Sequence, residues 1–165
     1  MRILQLCSCR TNGNKSPMPP QTDLQIELIA RGLCLRNGRV LLCKSIKNNY
    51  FYLPGGHVEY GETAAAALAR EFREETGEAA TVGNLALIHE HFFRQGPHLR
   101  HELNLVFHVE LATEKVTSRE KKLGFEWASI SDLADLDLRP EFHQSWLAHP
   151  PEPGMPPEWV SQPLD

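Results

Sequence analysis

The segment Gly56–Glu78, GHVEYGETAAAALAREFREETGE, restricts the fold more than any other part of the chain. It places Glu71, Glu74, Glu75 and Glu78 within eight positions. The residues before them, Ala64-Ala65-Ala66-Ala67-Leu68-Ala69, are strong helix formers. Residues three and four apart share one helix face. Glu71, Glu74 and Glu75 are therefore predicted to converge, with Glu78 one turn further on. Like charges this close repel by a few tenths of a kcal/mol per pair on an exposed helix. Stability alone does not account for such a cluster, whereas hard divalent cations such as Mg2+ and Mn2+ relieve it by taking oxygen ligands. The alternative is an ordinary solvated acidic face. Against that stands the setting: a turn at Leu53-Pro54-Gly55-Gly56, a second loop at Tyr60-Gly61-Glu62, and Gly77 as terminator.

The segment resembles the Nudix box, G-x5-E-x7-R-E-U-x-E-E-x-G-U, where U is a bulky apolar residue. Gly56, Glu62, Arg70, Glu71, Phe72, Glu74, Glu75 and Gly77 fall on its fixed positions. The last U departs, being Glu78 followed by Ala79 and Ala80. That departure concerns packing at the helix end. A looser similarity of flanking strands runs over residues 24–148. The resemblance implies an α/β fold of the α+β type, the Nudix fold, with a mixed β-sheet sandwiched between α-helices. It also implies Mg2+-dependent hydrolysis, with Mn2+ as a substitute, of a nucleoside diphosphate linked to a group X by attack of water on phosphorus. Carried over by position, Glu71, Glu74 and Glu75 are the expected metal ligands, and one of them holds or deprotonates the water instead. The backbone carbonyl of Gly55 is a further expected ligand. Arg70 is expected to orient a carboxylate, and it lies one turn from Glu74. The alternative for Arg70 is a surface ion pair worth little. Glu62 precedes the helix, where a carboxylate suits the dipole.

The family often takes one more carboxylate from outside the box. Glu90, Glu102, Glu110 and Glu126 are the candidates. Alternation puts Leu103, Leu105 and Phe107 on one face and Glu102, Asn104 and Val106 on the other. Glu102 ranks first and Glu90 second; the alternative is a solvated strand residue. His89, His91, His98 and His101 cluster in sequence but match no strong zinc spacing. They read better as pocket or surface groups. Tyr50, Tyr52, Phe92 and Phe93 stack a base or fill the core.

Strands are expected over 24–35, 39–46, 50–53, 80–94, 99–111 and 124–128. Asn37-Gly38 marks a hairpin between the first two. Short helices are expected over 131–136 and 139–148. The 165 residues suit one domain. Residues 1–20 read as a flexible arm, 21–149 as the domain and 150–165 as a proline-rich tail, which Trp159 and Val160 within it would dock onto the domain, the alternative being a mobile tail. The alternative for the arm is packing on a partner subunit, which leaves a homodimer open.

Net charge is -4, so nucleic acid is not an expected partner, and no apolar run is long enough to span a bilayer. Cys34 and Cys43 sit in apolar strands as core thiols, and Cys7 and Cys9 lack the second pair of a zinc site. Reduced thiols point to the cytoplasm. The expected substrate is a nucleotide-derived small molecule, of the ADP-ribose or nucleotide-sugar type. A nucleoside triphosphate or dinucleoside polyphosphate is the alternative. An isomerase and a non-catalytic nucleotide-sensing module are the other classes; the intact Glu71, Glu74 and Glu75 set argues against the module.

Overall fold

Asn37 and Gly38 make the first reversal of the chain, with φ of 51° and 71°. Positive φ at both central residues is what a two-residue type I′ hairpin requires. The protein was analysed as a computed structural model, which describes residues 25–164. The expected arm and Cys7 and Cys9 lie outside the described residues.

The strand expected over 24–35 is two strands, β1 (Ile26–Leu33) and β2 (Leu35–Arg36). Leu33 and Cys34 are consecutive and both buried. β1 is covered on both faces and belongs to one sheet while β2 belongs to the other, so the chain passes between sheets at Cys34. β3 (Arg39–Ser45) and β4 (Phe51–Tyr52) follow. The expected turn at Pro54-Gly55-Gly56 also contains a strand, β5 (Gly55–His57), which pairs antiparallel with β1 and sets Gly55 beside Arg31.

Helix α1 (Ala64–Glu75) starts at Thr63, whose Oγ1 accepts from the Ala66 amide at 3.2 Å. It ends at Thr76, so Glu78 lies outside the helix. β6 (Ala80–Gln95) and β7 (His98–Leu111) form a long hairpin, followed by β8 (Leu123–Ser129). A 3-10 helix spans Ile130–Asp135. The final helix, α2, covers Phe142–Leu147 and not 139–148. Pro140 disfavours helical backbone at Arg139, which delays the start. β9 (Glu158–Gln162) then returns to pair parallel with β6.

One sheet is mixed, in the order β5-β1-β7-β6-β9, with β1–β7 and β6–β9 parallel. The second is antiparallel: β2-β3-β4, with β8 also on β3. Helix α1 buries Ala67, Leu68 and Phe72 against Ala30, Cys34, Leu41, Val109 and Leu111. Truncating a buried phenylalanine such as Phe72 to alanine costs about 3–5 kcal/mol. On the other side Trp146 and Leu147 of α2 pack with Leu33, Leu42, Leu53 and Leu87. No helix among the described residues is long and apolar enough to cross a membrane.

Candidate functional site

The acidic face of α1 is organised by one guanidinium. Arg70 donates from Nη2 to Glu62 Oε1 at 2.8 Å and from Nη1 to Glu71 Oε1 at 2.9 Å. It also reaches Glu74 Oε2 at 3.3 Å and the His57 carbonyl at 3.1 Å. The hydrogen bonds from Arg70 hold the Glu62 carboxyl below the usual carboxylate range. Gly56 lies against the Glu71 carboxyl so closely that an added Cβ would stand 2.5 Å from its Cδ. Only glycine leaves room for that approach.

Glu71 and Glu75 both line an open cleft of about 1330 Å³, together with Gly55, Gly56 and Glu102. Glu75 is buried, and burial followed by the charge of Glu71 pushes its carboxyl up to about 7, with Arg31 opposing. Glu74 is placed differently. Its side chain is 58% exposed, lies on Arg70 and is not part of the cleft wall. An α-helix turns 100° per residue, so Glu71 and Glu75 stay close to one line while Glu74 swings to the side. Among the described residues, no three His, Cys, Asp or Glu side chains converge into a ready-made cation site.

Glu102 joins the cleft through strand register. It stands opposite His91 on β6 and Glu27 on β1, and Asn104 Nδ2 donates to its Oε2 at 3.1 Å. Glu90 is on the other sheet face, receiving Ser161 Oγ at 2.7 Å and His101 at 3.0 Å. Glu110 and Glu126 are absent from the cleft lining. The four histidines separate. His89 and His91 stack at 5.3 Å on the cleft face, and His89 also contacts His143 of α2 at 5.3 Å between ring centroids. His101 stacks on Phe92 at 3.9 Å on the opposite face, and His98 is exposed. Burial lowers the pKa of His89 and His91, and that of His143 well below its usual value. Tyr50, Tyr52, Phe92 and Phe93 all line the cleft.

Sequence reasoning missed the cations of this cleft. Arg31 donates from Nη1 to the Gly55 carbonyl at 2.9 Å and to the Leu53 carbonyl at 3.2 Å. Lys122 and Arg139 line the same cleft. A charge inside the apolar run Ile29-Ala30-Arg31-Gly32-Leu33 was the available sign for Arg31. Lys122 and Arg139 carry no comparable local pattern.

A family profile described as the NUDIX domain matches residues 27–149. The uncharacterized Nudix hydrolase YvcI of Bacillus subtilis is 26% identical over 103 residues, covering 62% of this chain and 65% of that protein. The ADP-ribose pyrophosphatase of Methanocaldococcus jannaschii is 29% identical over 108 residues, covering 64% of this chain and 63% of that protein. The chain thus spans just under two thirds of the length of these two relatives. The nucleoside triphosphatase NudI of an Enterobacter species is 30% identical over 117 residues, covering 62% of this chain and 81% of that protein. Among solved structures, the MutT protein from Methanosarcina mazei superimposes with a TM-score of 0.64 at 20% identity, covering 78% of this chain and 94% of that one. At that identity the likeness shows the fold alone.

Proposed function

The chain belongs to the NUDIX family, and from that premise we propose that it is a Mg2+-dependent hydrolase cleaving the diphosphate of a nucleoside diphosphate linked to another group. The observation that carries the reading is the placement of Glu71, Glu75 and Glu102 on one cleft, with Arg70 fixing Glu71 from behind. The donors fit a hard divalent cation. Glu71 and Glu75 would supply carboxylate oxygens, and Glu75 is a buried carboxyl beside a like charge, the situation a cation relieves. The Gly55 carbonyl, expected as a further ligand, is taken by Arg31 instead. Mn2+ takes the same donors. A cation held there would polarise a phosphoryl oxygen and lower the pKa of a water.

The remaining work belongs to side chains. Arg70 holds the Glu71 carboxylate in one orientation through a charge-assisted hydrogen bond. Arg31 and Lys122 supply positive charge along the cleft for the diphosphate oxygens. Glu102, kept in place by Asn104, takes the proton from the attacking water. The water oxygen bonds to phosphorus as the bridging P–O bond breaks, and the departing phosphate carries away the bridging oxygen. Glu74, off the cleft wall, supports this set through Arg70 rather than as a ligand.

An ADP-ribose or nucleotide-sugar substrate is favoured by the Methanocaldococcus relative and by the aromatic wall of the cleft. A triphosphate substrate is the second reading, supported by the resemblance to NudI. The catalytic unit in this proposal is 21–149 with an arm at 1–20, and the proline-rich segment 150–165 joins it through β9, which pairs with β6 and adds Ser161 and Gln162 to the cleft wall. Free, buried Cys34 and Cys43 suit the cytoplasm.

Incubation with ADP-ribose, nucleotide sugars, dinucleoside polyphosphates and nucleoside triphosphates, with Mg2+ or with EDTA, tests the reading. Product masses should show water added across one diphosphate, only with Mg2+. A folded protein that turns over none of these would overturn it.

A further inference from the structure

One wall of the cleft is a run of alternating charge and aromatic surface. Arg31 begins it, with its guanidinium carbon 5.2 Å from the centre of the Tyr52 ring and Nη1 on the Gly55 carbonyl at 2.9 Å. Tyr52 and Tyr50 follow, their ring centroids 5.8 Å apart at 48°. Arg139 ends it, its guanidinium carbon 4.7 Å from the centre of the Tyr50 ring. All four line the cleft. The wall therefore leads from the carboxylate end to a second, distinct end at Tyr50 and Arg139.

The chemistry of that far end is not that of an anion site. Arg139 donates from Nε and Nη2 to the two Asp137 oxygens at 2.9 and 3.0 Å. The bidentate pair meets the charge and holds the guanidinium flat. What remains is a planar surface, backed by Tyr50. Nor is Tyr50 a core residue. Its neighbour Phe51 is the buried one, while Tyr50 and Tyr52 turn to the cleft as alternation requires. Planar rings stack on tyrosine and on guanidinium faces.

We propose that Tyr50 and the Arg139–Asp137 pair form a stacking platform for the nucleobase of the substrate, with the diphosphate at the Arg31 and Gly55 end. The proposal rests on the nucleotide hydrolase reading given above and adds which residues receive the base. Arg31 divides the two regions by gripping the strand that carries Gly55.

The test combines kinetics on the best substrate with calorimetric binding of AMP, UMP and ribose 5-phosphate. Stacking on one aromatic ring changes binding by roughly 5- to 150-fold. Tyr50→Ala should raise KM and weaken nucleotide binding by about tenfold or more, with kcat within a few-fold of wild type. Tyr50→Phe should match the wild type, because the ring and not the hydroxyl is used. Arg139→Lys keeps the charge but loses the plane, and should behave like Arg139→Ala. Ribose 5-phosphate binding should not move in any variant. Unchanged AMP and UMP binding in Tyr50→Ala would overturn the platform, as would an equal loss for ribose 5-phosphate. Wild-type protein that binds AMP and UMP no better than ribose 5-phosphate would do the same. The binding arm reads independently of hydrolysis, so failure of the platform is separable from failure of the hydrolase reading.

Discussion

Arg70 and Glu62 meet as a fork across the turn that precedes α1, with Nη2 2.8 Å from Oε1 and Nε 3.3 Å from Oε2. The same guanidinium holds Glu71, Glu74 and the carbonyl of His57. It ties the loop before the helix to two carboxylates of the helix. Lysine keeps the charge but has no planar fork. Arg70→Lys should lower kcat by about tenfold or more, since a misplaced catalytic carboxylate loses up to about 100-fold. Thermal unfolding should change less than kcat, because lysine keeps a cation among the partly buried Glu62 and Glu71 carboxylates. Steady-state kinetics together with a melting curve checks both statements; wild-type kcat in Arg70→Lys would show that the fork is not needed.

Glu102 and Glu90 lie on opposite faces of the β6–β7 hairpin. Glu102 is on the cleft with Asn104, while Glu90 is tied to His101 and Ser161. Glu102→Gln should lower kcat with KM within a few-fold, the pattern of an interaction made mainly in the transition state. Glu90→Gln should leave kcat unchanged and loosen β9 instead, seen as faster amide exchange over 158–162. The reverse pair of results would move the proton acceptor to the other strand.

The buried histidines predict acid sensitivity. His143 is buried with neither ring nitrogen partnered, and burial lowers the pKa of His89, His91 and His143 below the ordinary 6.5. The unfolded chain therefore binds more protons than the folded one below that pH. Stability is fully present above about 6.5 and is lost as pH falls through that value. Glu75, raised to about 7 by burial, takes up a proton in the folded state over the same range and offsets part of this loss. The urea midpoint should therefore drop between pH 7 and pH 5 by less than the three histidines alone would give. His143→Leu should flatten the decline, as one buried imidazole no longer resists protonation. An equally steep decline in that variant would assign the effect to other groups.

Legibility differed between local and long-range features. Glu71, Glu75 and Gly77 sit at fixed helical intervals, so the helix and its end were readable from spacing alone. The β5 strand was hidden, because Pro54-Gly55-Gly56 has turn composition and its pairing is with Ile29, Ala30 and Arg31 of β1, more than twenty positions away. The division of the acidic face between Glu75 and Glu74 depends on what packs against α1, which no window of sequence contains. Arg139 is set on the cleft beside Tyr50, 89 positions earlier in the chain, a long-range contact that no local pattern announces. Glu102 was readable by alternation, but its placement over Glu90 follows from cross-strand register with His91.

The direct test of the central claim compares Glu75→Gln with Glu74→Gln at saturating Mg2+. Glu75 is buried on the cleft, whereas Glu74 is exposed and lies on Arg70. Both substitutions keep side-chain size, and far-UV circular dichroism with a melting curve verifies folding. Glu75→Gln should reduce kcat by roughly 100-fold or more, equivalent to about 2.7 kcal/mol of lost transition-state stabilisation. Glu74→Gln should lose clearly less. A folded Glu75→Gln protein with normal kcat at saturating Mg2+ would contradict the account.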